Sequence, residues 1–99
     1  MDAFLKPRPT SWTNLANVLY VDNPVGTGLS YSNTTDGFCT TDKCIADDLV
    51  TFFVQFFKKF PEYQKTPFFM ATESYGGKMT ALTARALLAA IEAGKLKAN

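Results

Sequence analysis

The stretch PFFMATESYGGKM, residues 67–79, places a serine where an apolar run gives way to a glycine-rich segment. Ser74 stands at that change, and Gly76 and Gly77 follow it. A serine hydroxyl in such a turn can attack a carbonyl carbon, and the amides of a following helix N-terminus can hold the developing oxyanion. The pattern therefore predicts acyl-transfer chemistry at Ser74. The chain contains no histidine, so the usual base for such a serine is not in this sequence.

The turn around Ser74 is typical of a nucleophile elbow, a sharp strand-to-helix turn usually written G-x-S-x-G. Small residues are needed on both sides of the serine because the two elements cross closely. Gly76 fills the second glycine position, whereas Thr72 stands where the first glycine is expected. A β-branched residue at that position crowds the crossing. The alternative interpretation is a serine that caps an ordinary turn.

Other candidate sites in the sequence are weaker. NPVGTGLSY has two glycines but neither a third glycine nor G-K-[ST], which excludes a nucleotide-binding loop and predicts no cofactor. Cys39 and Cys44 can close a short disulfide loop or pair with partners elsewhere. Without histidine they cannot form an ordinary zinc site, so no metal is predicted. Asn33 begins the triplet Asn-Thr-Thr, which is either a glycosylation sequon or simply a turn.

Composition excludes several classes of function. The 99 residues are 46% apolar and carry a net charge of +1, enough for one packed domain and too little charge for a nucleic-acid surface. No apolar run reaches the roughly 18 residues of a membrane span. The segment MDAFLKPRPTSW lacks the long apolar region of a signal peptide, so none is predicted.

The elements that must position Ser74 follow from apolar spacing. Short apolar runs bounded by proline or turn residues indicate strands, and apolar residues at helical period indicate helices. The helix between the two runs carries a phenylalanine stripe, which predicts core packing, with an aromatic ligand pocket as the minor alternative. The predicted order is strand 17–22, loop 24–41, a helix from Thr41 or Asp42 to Phe60, strand 67–72, and a helix from about Gly76 to Ala93.

This order predicts an α/β fold. Two strands joined through a helix indicate a right-handed βαβ unit in a parallel sheet. Such a sheet needs more than two strands and cover on both faces. The chain is therefore predicted to be an incomplete β-α-β-α slice of a larger domain, with residues 1–13 as an irregular lead-in and residues 14–99 as the partial domain.

Three stretches together resemble the serine carboxypeptidases of the α/β-hydrolase fold. They are SWTNLANVLYVDNPVGTGLSYS, FFKKFPEYQKTPFFMATESYGGKM and the IEAGKLKAN tail. The resemblance covers nearly everything from Ser11 onward, in the same order and spacing. The family usually has G-E-S-Y-A-G around the nucleophile, and the Gly-Gly-Lys-Met ending here is similar to the retinoid-inducible branch. The resemblance implies that the predicted slice belongs to an α/β-hydrolase parallel sheet.

The resemblance also assigns roles. Ser74 would form the acyl-enzyme, and the backbone amide of Tyr75 would give half of the oxyanion hole. Glu73 would bind the C-terminal carboxylate of a peptide or protein substrate. Two carboxyl groups attract each other only when one is protonated, which implies an acidic working pH. A secreted or vacuolar and lysosomal location is implied as well, and it favours a disulfide at Cys39 and Cys44 and glycosylation at Asn33.

The catalytic partners of Ser74 are expected outside this chain. In α/β-hydrolases the triad runs serine, aspartate, histidine, so both partners follow the nucleophile. A fragment without them, and without the rest of the catalytic domain, is predicted to be inactive alone. The alternative is a truncated product that binds a peptide or another partner without catalysis. An esterase or acyltransferase of the same fold also stays open, because fold does not determine function.

Overall fold

A computed structural model describes residues 4–99 of the chain, and its regular structure is helical. The α-helices are α1, Asp42–Lys59, and α2, Gly76–Glu92, with short 3₁₀ turns at Trp12–Asn14, Thr35–Gly37 and Pro61–Lys65. Between residues 4 and 99, no helix has the length and hydropathy needed to cross a membrane. Residues 1–3 of the predicted lead-in lie outside the described residues.

Helix α1 begins where its sequence predicts. Thr41 is the N-cap, and its Oγ1 accepts a hydrogen bond from the Cys44 N–H at 3.2 Å. This cap satisfies one of the backbone amides that a helix start leaves without a partner. The helix ends at Lys59, just before Phe60 and Pro61, because the proline ring cannot continue the helical hydrogen bonding. The predicted boundaries of this helix are confirmed.

Helix α2 is also confirmed, and its end has a specific physical cause. Gly94 adopts a left-handed conformation with φ of 69°. Its N–H donates to the Ile91 carbonyl at 2.9 Å, and the Lys95 N–H donates to the Ala90 carbonyl at 2.9 Å. This pair of bonds is the Schellman arrangement, which satisfies the last carbonyls of the helix. Glycine is favoured there because it lacks the Cβ that makes positive φ costly.

The core lies between the two helices and the C-terminal tail. Its buried members are Phe53, Phe57, Leu87 and Leu96. Phe68 packs edge-on against the α1 rings, with its centroid 5.1 Å from that of Phe53. Edge-to-face contacts at this distance are favourable for aromatic rings. Phe53, Phe56 and Phe57 of the α1 stripe therefore pack in or against the core, as predicted, whereas Phe52 and Phe60 at its edges are exposed.

The predicted β-α-β-α slice of a parallel sheet is wrong. Among residues 4–99 there is no strand, and residues 17–22 and 67–72 have no regular secondary structure. Phe68 does donate its N–H to the Asn99 carbonyl at 2.8 Å, but this bond joins it to the tail rather than to another apolar run. A strand exists only when a second backbone completes its ladder. The two apolar runs do not pair with each other, and helix packing forms the core instead.

The loop that precedes α1 folds around the side chain and the backbone carbonyl of Asp22. The Leu29 N–H donates to Asp22 Oδ2 at 2.8 Å, and the Ser30 hydroxyl donates to the Asp22 carbonyl at 2.7 Å. Gly28 lies so close that a Cβ there would come within 2.2 Å of the Asp22 carboxyl group. The loop is therefore organised by polar contacts, and its buried surface is small.

Candidate functional site

Ser74 is the one non-glycine residue with a positive φ among the residues described. Its φ is 57°, in the left-handed region. A non-glycine residue pays about 1–2 kcal/mol for that conformation. Ser74 and Tyr75 form a turn between an irregular segment and the first residue of α2, and the Ser74 side chain is exposed. Backbone strain of this kind is concentrated at functional sites, so the outlier marks Ser74 independently of its sequence pattern.

The turn is closed by backbone hydrogen bonds on its helical side. The Glu73 carbonyl accepts from the Gly76 N–H at 2.9 Å, and the Ser74 carbonyl accepts from the Gly77 N–H at 3.0 Å. Within residues 4–99 no acceptor is found for the N–H of Tyr75. That amide directly follows Ser74 and lies at the start of α2. Its position suits a donor to a negatively charged oxygen, since helix N-termini favour anions.

The two glycines after Ser74 have different surroundings. A Cβ added to Gly76 would lie 2.8 Å from the Thr72 Cβ, whereas a Cβ added to Gly77 would meet nothing within 4 Å. Gly76 is therefore the position at which only a residue without a side chain fits, and Gly77 is not. The absence of a side chain there leaves room for Thr72, whose Oγ1 lies 2.9 Å from the Thr80 Oγ1. Thr72 replaces the glycine usual at its position, and the missing side chain of Gly76 provides the space that Thr72 occupies.

The structure shows a side-chain cluster between α1 and the start of α2 that the sequence does not predict. Asp42 Oδ1 accepts a hydrogen bond from the Tyr75 phenol at 2.6 Å, and Asp42 Oδ2 lies 2.7 Å from the Lys78 Nζ. The same Nζ is 5.4 Å from the centre of the Tyr75 ring. Asp42 and Tyr75 are 33 positions apart, so no local pattern signals their contact. Their helical spacing does place Tyr75 and Lys78 on one face of α2.

The charges of this cluster stabilise one another. Hydrogen bonds from Lys78 and then from Tyr75 hold the pKa of the Asp42 carboxyl below its ordinary value. The hydrogen bond to Asp42 raises the pKa of the Lys78 ammonium. All three groups are at the protein surface, so salt screens part of this interaction.

The family assignment follows from comparison with known proteins. The sequence model of the family described as serine carboxypeptidase matches residues 2–99. The chain belongs to the serine carboxypeptidase family. It is 44% identical to the retinoid-inducible serine carboxypeptidase of Mus musculus and 46% identical to that of Rattus norvegicus, each over all 99 residues. It is 41% identical over 95 residues to the venom serine carboxypeptidase of Apis mellifera.

These matches confirm the resemblance to the retinoid-inducible branch. They also show that the chain spans only about a fifth of the length of these relatives. Its 99 residues correspond to 22% of the length of the mouse and rat proteins and its match to 20% of the honeybee protein. No solved structure matches the chain significantly.

The other predicted site residues of this serine carboxypeptidase chain form no hydrogen bond to the Ser74 side chain across residues 4–99. Glu73, next to the nucleophile candidate, is exposed and forms no ion pair in the described part of the chain. Asn33 is exposed in the loop before α1. Cys39 and Cys44 form a disulfide with an S–S distance of 2.04 Å. Asp48 is close to both sulfur atoms, but bonded sulfurs provide no thiolate for a metal.

A groove of about 430 Å³ lies between α1 and α2, away from these residues. Val50, Val54 and Ala86 line it, and none of the predicted site residues does. The candidate site is therefore the exposed turn at Ser74, not a preformed cavity.

Proposed function

We propose that this chain supplies the nucleophile segment of a serine-type carboxypeptidase, with Ser74 as the residue that forms the acyl-enzyme. The left-handed conformation of Ser74 carries the proposal. Ser74 is strained and exposed, it lies just before the N-terminus of α2, and the N–H of Tyr75 that follows it lacks an acceptor among the described residues. Close packing of Gly76 against Thr72 supports the interpretation of this turn as a nucleophile elbow.

The proposed reaction removes the last residue of a peptide. The Ser74 hydroxyl oxygen attacks the carbonyl carbon of the final peptide bond while a general base takes its proton. The carbonyl oxygen becomes an oxyanion, which the Tyr75 N–H binds. When the carbonyl re-forms, the carbon–nitrogen bond breaks and the protonated amine leaves, so that an ester remains on Ser74. Water then hydrolyses that ester and restores the hydroxyl group.

Glu73 is proposed to select chain ends. Its exposed carboxyl group neighbours Ser74, where it can donate a hydrogen bond to the substrate's terminal carboxylate when protonated. Charged, it would repel that carboxylate. The substrate class is therefore the free C-terminus of a peptide or protein, and activity is expected to favour acidic pH.

The general base lies outside this sequence, since the chain has no histidine. The isolated chain is therefore expected to give no triad-based turnover, because the members of a triad act as a unit. The test is incubation with a blocked dipeptide at acidic pH, with Ser74→Ala alongside. Turnover well above buffer that Ser74→Ala abolishes would contradict this expectation.

The nucleophile itself can be tested in a chimaera. The 99 residues would replace the corresponding segment of a family member first shown to cleave the blocked dipeptide. We expect the chimaera to release the C-terminal residue, Ser74→Ala to lose that activity by at least about a thousandfold, and Ser11→Ala to retain it. An active Ser74→Ala chimaera would remove Ser74 from the mechanism.

The location of the protein is proposed to be secreted or vacuolar and lysosomal. The Cys39–Cys44 disulfide supports an oxidising compartment, and exposure of the Asn33 sequon suits glycosylation there. Expression with a secretory leader should give a band whose mobility increases on glycosidase treatment. Asn33→Gln should remove that shift.

A second candidate function is partner binding without catalysis. The observation that favours it is the exposure of large apolar side chains, including Leu29 at 91%, Tyr31 at 78% and Phe69 at 86%. Large apolar side chains left exposed in this way are typical of surfaces that bind a partner or that aggregate. A sharp, reversible unfolding transition of a monomeric chain would favour a binding module, whereas aggregation would favour a catalytic segment that needs the rest of its domain.

A further inference from the structure

We infer that Asp42 is a positioning residue for the proposed catalytic turn, because its carboxylate ties Tyr75 and Lys78 to the start of α1. The effect of Asp42 on catalysis rests on the proposed function of Ser74. The contact itself is a property of the folded chain and can be tested without catalysis.

The contact uses both oxygens of one side chain. Oδ1 accepts from the Tyr75 phenol at 2.6 Å and Oδ2 faces the Lys78 ammonium at 2.7 Å. Tyr75 and Lys78 are one turn apart, so the carboxylate spans the first turn of α2. These two are the charged or titratable groups that reach Asp42 from α2. On α1 the neighbouring Lys43 pairs with Asp47 instead.

Asp42 is itself held in place from two sides. It is the first residue of α1 and directly follows the Thr41 cap. The Cys39–Cys44 disulfide closes the short segment that contains it. The positive end of the helix dipole also favours its negative charge. The Asp42 carboxylate is therefore held in a defined position from which it binds Tyr75 and Lys78.

The tether adds to the backbone hydrogen bonds of the Ser74 turn because it restrains Tyr75, whose own neighbours do not. Gly76 and Gly77 follow Tyr75, and glycine allows more backbone conformations than any other residue. Tyr75 is the N-cap of α2 but makes no side-chain capping bond. Its phenol is instead bound to Asp42, which limits rotation of the residue that carries the proposed oxyanion amide. Loss of this bond would let the Tyr75 N–H turn away from Ser74.

The test is nuclear magnetic resonance of the ¹⁵N-labelled 99-residue chain. In a Glu73→Gln background, which removes the neighbouring carboxyl group, the amide signals of Ser74 and Tyr75 should shift with pH as the Asp42 carboxyl titrates. In Asp42→Asn that step should disappear. Hydrogen exchange at Gly76 and Gly77, whose amides close the turn, should become roughly two- to fivefold faster, as expected for a surface charge pair.

Three further variants separate positioning from general stability. Asp47→Asn is the matched control, since it makes the same chemical change on α1 and Asp47 pairs with Lys43 rather than with α2. It should leave both signals unchanged. Tyr75→Phe should speed exchange while the Asp42 carboxyl still titrates, and Asp42→Glu should recover the pH step. Circular dichroism checks that each variant keeps its helices.

The inference is overturned if Asp42→Asn leaves the Ser74 and Tyr75 signals as in the Glu73→Gln background, or if Asp47→Asn changes them equally. If Asp42→Asn does not fold, unchanged exchange in Tyr75→Phe overturns it. In the active chimaera, Asp42→Asn should lower kcat about fivefold or less with little change in KM, because the oxyanion develops only in the transition state. An inactive chimaera with the resonance result intact would refute the proposed function alone.

Discussion

The two parts of this chain, residues 4–44 and residues 45–99, are held together by different physical means. All of the buried side chains that the structure describes come from the second part, among them Phe57 at 3% exposure and Leu87 at 5%. In the first part, large apolar side chains such as Leu5 and Leu29 are almost entirely exposed. The second part is stabilised by burial of apolar surface, and the first by hydrogen bonds and a disulfide.

The difference matters because the candidate site lies where the two parts meet. Ser74 and Tyr75 belong to the second part, whereas Asp42 belongs to the first. Helix α1 runs from one into the other, so the packing of its phenylalanine face determines where Asp42 stands. A polar contact at the surface is thus placed by apolar contacts beneath it.

The strongest test of this contrast is the loss of a buried aromatic ring. Phe57→Ala should reduce the free energy of unfolding by about 3–5 kcal/mol, because the cavity and the lost transfer energy add. The measurement is urea unfolding followed by circular dichroism. Phe69→Ala is the matched control, since Phe69 is 86% exposed and should change stability by less than about 0.5 kcal/mol. Equal losses in the two variants would show that burial does not distinguish these phenylalanines.

The next largest effect is expected at the glycines that follow Ser74, where two neighbouring substitutions should have opposite signs. Gly76→Ala should cost about 1–3 kcal/mol, because its Cβ would be forced against Thr72. Gly77→Ala should stabilise the chain by about 0.5–1 kcal/mol, because alanine is the better helix former and the space is open.

Denaturant unfolding of both glycine variants gives the comparison. Adding Thr72→Gly to Gly76→Ala should reduce the cost below the sum of the single changes, since the clash partner is gone. A stabilising Gly76→Ala would contradict the close crossing at this turn.

Removal of the disulfide should have a smaller effect, confined to the first part and its junction with α1. Replacing Cys39 and Cys44 together by serine should cost about 2 kcal/mol, mainly by freeing the unfolded chain. Hydrogen exchange should increase at the Cys44 position, where the helix cap lies, and remain unchanged at Leu87. An unchanged unfolding midpoint, or exchange that increases equally in both regions, would oppose this account.

The smallest effect is expected from acid titration of Asp42. Its folded pKa lies below the ordinary value of 3.8, so the pair with Lys78 contributes stability above that value and loses it as pH falls through the folded pKa. Asp42→Asn should therefore weaken the acid dependence of the melting temperature between neutral and strongly acidic pH, and Asp47→Asn should not. Added salt should shrink the difference. If the melting temperature of Asp42→Asn falls with acid just as that of the wild type does, the contact does not persist in solution.

Sequence patterns predict the helices of this chain but not the absence of strands, and the reason is physical. Thr41 and Gly94 mark helix ends through hydrogen bonds that span three to five positions, and Pro61 marks one because it has no N–H to donate, so all three signals are local. The runs at 17–22 and 67–72 have the composition of buried strands, but a ladder depends on a second backbone that composition does not specify. The helices were predicted correctly and the strands were not.

The site shows the same division. Ser74 and Gly76 stand out in the sequence because the turn between them is local. The sequence identifies Asp42 only as a possible start of α1, and no neighbouring residue links it to a tyrosine 33 positions later.

By itself the sequence determined the two helices, their ends, the apolar face of α1 and the serine carboxypeptidase pattern around Ser74. These features depend on contacts within a few positions or on residue types in a fixed order. Only the tertiary structure decided that the apolar runs remain without strand partners, that Gly76 rather than Gly77 is confined, and that Asp42 binds Tyr75 and Lys78. The first and third of these features depend on which distant segments come into contact, which the packing of the two helices determines, and the second depends on how closely Thr72 approaches Gly76.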